Sequence, residues 1–305
     1  FEILRRKVEI RNQFKKKVLC FFSLSNPVVF RFKMAHKVKS INSTLLDVEN
    51  QAIRLGLGEI KKDLPSQGIE SRETHFYIDD SEVVGRKDDV SKIVNMLISS
   101  SNQEDDDVIS VLPIVGMGGL GKTTLAQLVY KDVQVNQHFN EVMWVCVSDV
   151  FDVKKILRQI LEYLHMPAKE SKSAMVESLR QKLEGKKYLL VLDDVWNDDP
   201  EKWEALRSCL FGISTSTRNG VIVTTRKHEV ASIMGGTLGS HHLENLSEVH
   251  CWTVFEQRAF ASGGPPKTPE FEAIGRQVAK KCGGVPLAAK VLGGMMHSKK
   301  EKSEW

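Results

Sequence analysis

A chain of 305 residues with 41% hydrophobic and 27% charged side chains has the apolar mass for a packed core and too many charges for a membrane bundle. No run approaches the roughly 20 apolar positions of a bilayer span, and no secretory leader is visible. The formal charge is +4, and five widely spaced cysteines without a C-x-x-C pair point to a reducing compartment and away from a zinc site.

The charge is unevenly spread. Residues 1 to 40 hold eleven Lys or Arg against two Glu, a net +9, which leaves the rest of the chain at −5. Such an arm suits nucleic acid or an acidic membrane surface. A second explanation fits better, because Met34, Val38, Ile41, Leu45, Val48, Ala52 and Leu55 recur at spacings of four and three, the stripe of a helix packed on another helix. No interleaved stacking aromatics on a nucleic-acid reader module accompany the basic residues. Residues 1–60 are therefore expected to be part of a helical domain. The polar stretch "GLGEIKKDLPSQGIESRETHFYIDDSE" then predicts a linker over 61–82.

"EVVGRKDDVSKIVNML" predicts an extended piece followed by a helix, and "SSSNQEDDD", residues 99 to 107, a surface loop. "VISVLPIV" is short, apolar and rich in β-branched residues, which predicts a strand buried on both faces of a parallel sheet. Glycines follow at once. Gly116, Gly121, Lys122 and Thr123 satisfy G-x-x-x-x-G-K-[ST] between that strand and an apolar-periodic helix, the setting a phosphate-binding loop requires. Glycine allows backbone N–H groups to close around an anion, and the helix adds its N-terminal N–H groups and dipole. Lys122 is expected to neutralise β- and γ-phosphates and Thr123 to be a Mg²⁺ ligand.

"EVMWVCVS" predicts a second strand, with Cys146 in the core; helices follow at "VKKILRQILEYL" and near 174–184. "KKYLLVLDDVW" predicts another buried strand ending in Asp193 and Asp194, where an open α/β sheet puts its ligand chemistry. Asp193 is expected to serve the metal, directly or through water, and Asp194 to orient or deprotonate an attacking water. "NGVIVTTR" predicts a further strand. Its Arg226 is either a bidentate donor to a γ-phosphate or a solvated charge at a strand end, and Thr224 and Thr225 fit ordinary strand propensity. From about residue 247 the pattern becomes helical: "SEVHCWTVFEQRAF", "EFEAIGRQVAKKCGG" and "VPLAAKVLGGMM". The fold class expected is α/β, a three-layer parallel-sheet P-loop NTPase domain over 83–240 with a helical subdomain over 241–305.

Those stretches, in this order, resemble the nucleotide-binding region of plant intracellular immune receptors, the NB-ARC module shared with the apoptotic protease-activating factor and classed among signal-transduction ATPases. "VVGR" at 83–86, "GMGGLGKTT" at 116–124, "VMWVCVSDVFD" at 142–152, "KKYLLVLDDVW" at 186–196, "VIVTTR" at 221–226, "LENLSEVHCWTVFEQRAF" at 243–260 and "CGGVPLA" at 282–288 carry the resemblance. Trp196 and the segment "SNPVVFRFKMAHKVKSIN" are similar to the coiled-coil-bearing subclass.

The resemblance implies bound ADP or ATP with Mg²⁺. Val84, Arg86 and Pro286 would contact adenine; Gly116, Gly118, Gly119, Gly121, Lys122, Thr123 and Thr124 would wrap the phosphates; Arg226 would sense the γ-phosphate. It further implies a cytoplasmic defence switch with a possible nuclear or membrane-peripheral pool, slow hydrolysis and self-association in the ATP form. Winged-helix and leucine-rich-repeat units characteristic of such receptors are not among these 305 residues, so the chain reads as part of a longer polypeptide. Two rival readings, a nucleic-acid-stimulated P-loop ATPase and a P-loop phosphotransferase, use the same loop.

Overall fold

Four apolar strands that alternate with helices assemble in parallel, and their C-terminal ends are brought to one edge. The structure is a computed structural model describing residues 74, 76–99, 108–147, 151–215, 219–235, 238–301 and 304–305. The helical domain expected over 1–60, its apolar stripe and most of the linker lie outside the described residues. Elements run α1 (Lys87–Ser99), β1 (Ile109–Val115), α2 (Lys122–Lys131), α3 (Val133–His138), β2 (Glu141–Cys146), α4 (Val153–Tyr163), α5 (Lys172–Lys182), β3 (Tyr188–Asp193), α6 (Pro200–Ile213), β4 (Asn219–Thr225), α7 (His228–Met234), β5 (His241–His242), α8 (Glu248–Ala259), α9 (Pro269–Lys281) and α10 (Pro286–His297). A 3-10 turn, Asp80–Glu82, precedes α1.

The sheet order is β2-β3-β4-β1-β5, with every pairing parallel. This places β4 between the strand that feeds the glycine loop and the strand that ends in Asp193. Successive side chains of a strand point to opposite faces. Met143, Leu190, Leu192, Val221 and Val223 accordingly pack with Leu157, Leu179, Leu206 and Val230 of α4 to α7 on one face. Leu112, Ile114, Leu189, Val191 and Ile222 pack with Ile93, Leu125 and Val129 of α1 and α2 on the other. That is the three-layer parallel α/β arrangement expected. Cys146, expected in the core, is only half-buried at the end of β2.

Beyond β5 the third core forms around Trp252, Phe255, Ala279 and Ala289 of α8, α9 and α10. The two-residue strand β5, paired to Ile114 and Val115, carries the sheet just past residue 240. No helix among the described residues is long and apolar enough to cross a membrane.

The turn that starts α10 is conformationally demanding. Gly283 and Gly284 lie at φ +59° and +76°, in the left-handed region. A Cβ on Gly284 would stand 2.4 Å from the Leu246 carbonyl oxygen, whereas one on Gly283 would meet open space. Gly283→Ala is expected to lose about 1 kcal/mol, the left-handed strain alone. Gly284→Ala should lose about 2 kcal/mol more, because backbone must move as well. Urea denaturation of the two variants checks the ranking, and equal losses would contradict it.

Candidate functional site

The loop between β1 and α2 closes on itself through glycine. Gly119 and Gly121 adopt φ +82° and +96°, and α2 begins with no side chain capping its first N–H groups. Those uncapped donors, with the helix dipole, form an anion-binding end. Lys122 is only 7% exposed, and its Nζ donates to the Met117 carbonyl at 3.1 Å. Burial pushes its amine below the usual lysine range, and the neighbouring Arg226 charge adds to the effect, opposed by Asp194 and Asp193. A buried cation facing a second cation is a site that gains from an anion.

The carboxylate end of β3 stands opposite. Asp193 is fully buried and accepts from the Thr123 hydroxyl at 3.0 and 3.1 Å, from Thr224 at 2.6 Å and from Thr74 at 2.7 Å. Thr224, read from sequence as a strand former, thus bridges: its oxygen also accepts the Asp194 N–H at 2.8 Å. That bond helps hold Asp194 at φ +55°, a left-handed conformation uncommon outside glycine. With the backbone turned there, Asp194 lines the cavity while Asp193 stays behind it. Thr123 and Asp193 present hard oxygen donors on adjacent elements, a set that fits Mg²⁺ held jointly with phosphate oxygens.

Arg226 extends from β4 across the mouth. Its guanidinium lies over the Trp196 ring at 4.7 Å, and its Nε is 3.8 Å from Asp194. Its Nη1 is 3.1 Å from where a Cβ on Gly118 would stand, so Gly118 leaves room for it.

The other end of the cavity is more apolar and is shared with the helical subdomain. Leu287 donates its N–H to the Gly119 carbonyl at 3.2 Å, seating the first turn of α10 on the glycine loop. Val84, Pro286, Leu287 and Leu246 wall this end of a cavity of about 540 Å³ that continues to Lys122 and Arg226. Arg86, expected near a base, has its guanidinium spent elsewhere: it donates to the Leu120 and Glu244 carbonyls at 2.9 and 3.0 Å and pairs with Asp89 at 3.1 Å. Contact with a base would fall to its backbone and stem.

Of the residues expected at the site, Val84, Arg86, Gly118, Gly119, Gly121, Lys122, Thr123, Thr124, Asp194, Arg226 and Pro286 line one cavity. Gly116 lies behind the loop, where a Cβ would press on the Leu243 carbonyl at 3.1 Å. Sequence reasoning missed Thr74, Ile78, Glu82, Leu287 and Lys290 in the same wall. Glu82 pairs with Arg258 at 2.5 Å and Lys290 at 3.2 Å, joining the supposed linker to α8 and α10.

Lys122 supplies a test with a defined sign. Because the folded state disfavours its charged form, the penalty is full below its depressed pKa and fades as pH rises toward the ordinary 10.5. Lys122→Met is expected to raise the urea midpoint of the nucleotide-free chain at pH 7, with the gain shrinking toward pH 10.5. A lower midpoint at pH 7 would show that the Met117 hydrogen bond outweighs burial.

The NB-ARC domain model matches residues 86–263, more than half of the chain. The chain is similar to disease resistance protein RGA2 of Solanum bulbocastanum, 41% identical over 282 residues, which cover 91% of this chain and 28% of that protein. It is similar to disease resistance RPP13-like protein 4 of Arabidopsis thaliana, 31% identical over 88% of this chain and 31% of that protein. It therefore spans about a quarter to a third of the length of these relatives. Among solved structures, Cdc6p from Pyrobaculum aerophilum has the same fold at a TM-score of 0.51 and 16% identity, over 70% of this chain and 64% of that one. The match over residues 86–263, which hold the glycine loop and the Asp193 strand, shows that this chain belongs to the NB-ARC domain family.

Proposed function

We propose that this chain is the ADP/ATP-operated switch of a plant intracellular immune receptor, with slow ATP hydrolysis that resets it. The observation that carries this reading is a single cavity with a cationic end, Lys122 and Arg226, and an apolar end, Val84, Pro286 and Leu287, contributed by two subdomains. An adenine nucleotide has that polarity: base and ribose at one end, phosphates at the other.

The uncapped N–H groups of α2 would hold the α- and β-phosphates, Lys122 would reach the β- and γ-phosphates, and Thr123 with Asp193 would hold Mg²⁺. A magnesium ion held there would supply neutralisation of phosphate charge. Arg226, with Trp196 supporting one face and Gly118 leaving it room, would meet the third phosphate that distinguishes ATP from ADP. Asp194 would orient the attacking water. A lone aspartate is a poor activator of water, and phosphoryl transfer without all its positioning groups is slow, so slow turnover is expected.

Switching follows from the shared wall. A nucleotide shifts a two-state equilibrium only by its differential affinity for the two states. Because α10 rests on Gly119, any movement of the glycine loop about the extra phosphate is felt by the helical subdomain. In the full receptor, winged-helix and leucine-rich-repeat units would hold the ADP form shut, and the ATP form would self-associate in the cytoplasm, with a nuclear or membrane-peripheral pool.

Arg226→Ala tests the reading. Loss of a charged hydrogen bond to phosphate should weaken ATP binding about tenfold or more while ADP binding changes less than about threefold. Calorimetric titration of both nucleotides into parent and variant measures this. Equal losses for ADP and ATP would show that Arg226 does not read the third phosphate.

A further inference from the structure

The Asp193 carboxylate is fully buried behind three threonine hydroxyls. Its two oxygens offer about four lone-pair directions. Three hydroxyl hydrogens reach them: that of Thr123 is shared between Oδ1 and Oδ2 at 3.0 and 3.1 Å, that of Thr224 goes to Oδ1 at 2.6 Å, and that of Thr74 to Oδ2 at 2.7 Å. Because the carboxylate is shut in by these hydroxyls, a divalent cation that reaches it, directly or through one of its waters, displaces one of them. Thr224 is held in place, being 1% exposed and also accepting the Asp194 N–H. Thr123 sits on the helix that presents the co-ligand. Thr74 alone comes from a surface segment.

That segment, Thr74 and residues 76–83, crosses the cavity as a strap. Ile78, Asp79, Glu82 and Val83 face the same space as the glycine loop. Outside, it is fastened by side chains rather than by a sheet: the Phe76 ring stacks on Tyr130 at 5.2 Å, Lys131 Nζ lies 4.7 Å from the Tyr77 ring centroid and donates to the Ile78 carbonyl, and Glu82 pairs with Arg258 and Lys290. Phe76 and Tyr77 are 44% and 78% exposed, so little apolar burial holds this end.

We propose that Thr74 is a latch that competes with Mg²⁺ for Asp193, so that metal loading of the site frees the strap's N-terminal end. The proposal rests on the nucleotide-switch reading and adds to it a route from the phosphate site to the chain preceding residue 74. A latch that competes differs in sign from a residue that merely supports Asp193. Removing a competitor tightens the metal; removing a support loosens it.

The experiment uses the full 305-residue chain with saturating ADP, with and without Mg²⁺, as parent, Thr74→Val and Thr74→Ser. Amide hydrogen exchange over residues 76–83 reads the strap, and calorimetry reads Mg²⁺ affinity. In the parent, Mg²⁺ should speed strap exchange severalfold, beyond any change with ADP alone. Thr74→Val should exchange fast without Mg²⁺ and bind Mg²⁺ about tenfold tighter, the factor that one lost hydrogen bond to a carboxylate implies; Thr74→Ser should behave as the parent. Unchanged or weaker Mg²⁺ binding by Thr74→Val, or a parental strap indifferent to bound Mg²⁺, overturns the latch alone. A parent that takes up neither ADP nor Mg²⁺ overturns the nucleotide reading and the latch with it.

Discussion

A carboxylate shut away from water at the end of β3 is the constraint around which this molecule is arranged. A buried charge without partners costs far more than a domain of this size can tolerate. Asp193 is instead surrounded by hydroxyls from three places: Thr123 at the start of α2, Thr224 at the end of β4, and Thr74 on the strap. Those bonds set the relative positions of the glycine loop, the strand bearing Arg226 and the segment that roofs the cavity. The sheet order makes this possible, since β4 lies between β3 and β1 and brings Thr224 to the midpoint.

The second organising contact is between subdomains. Gly283 and Gly284 turn the chain so that α10 points its first residues at the glycine loop, and the Leu287 N–H satisfies the Gly119 carbonyl. The phosphate end is built from the sheet and the apolar end partly from the helices, so the cavity exists only while both are docked. Arg86 reinforces the junction from a different side, tying the Leu120 carbonyl of the loop to the Glu244 carbonyl that leads into α8. A ligand spanning such a cavity is coupled to docking by construction, and that coupling is what a switch needs.

Much of this was legible in the residues. Buried strands announce themselves as β-branched apolar runs, and "VISVLPIV", "EVMWVCVS", "YLLVLDD" and "NGVIVTTR" became β1 to β4. The glycine loop was readable because its chemistry is local, needing backbone freedom, a cation and a hydroxyl within a few positions. β5 was not, since two residues carry no periodicity. Thr224 read as strand propensity because its role depends on which strands flank β4, which spacing does not encode. Thr74 to Glu82 fall in the linker expected over 61–82, whose polar residues with Pro65 and Gly68 ordinarily mark a linker; the contacts of Thr74 to Glu82 are single side chains reaching residues more than forty positions away. Arg86 was placed near the ligand, yet its guanidinium is consumed by two carbonyls that only folding brings together.

In the proposed switch the cavity holds an adenine nucleotide through Lys122 and rests with ADP. The direct measurement is the identity and stoichiometry of nucleotide released when the purified chain is denatured, with Lys122→Ala purified alongside. The account predicts close to one ADP per parent chain and little in the variant. A parent that releases no adenine nucleotide and shows no affinity for added ADP or ATP would contradict it.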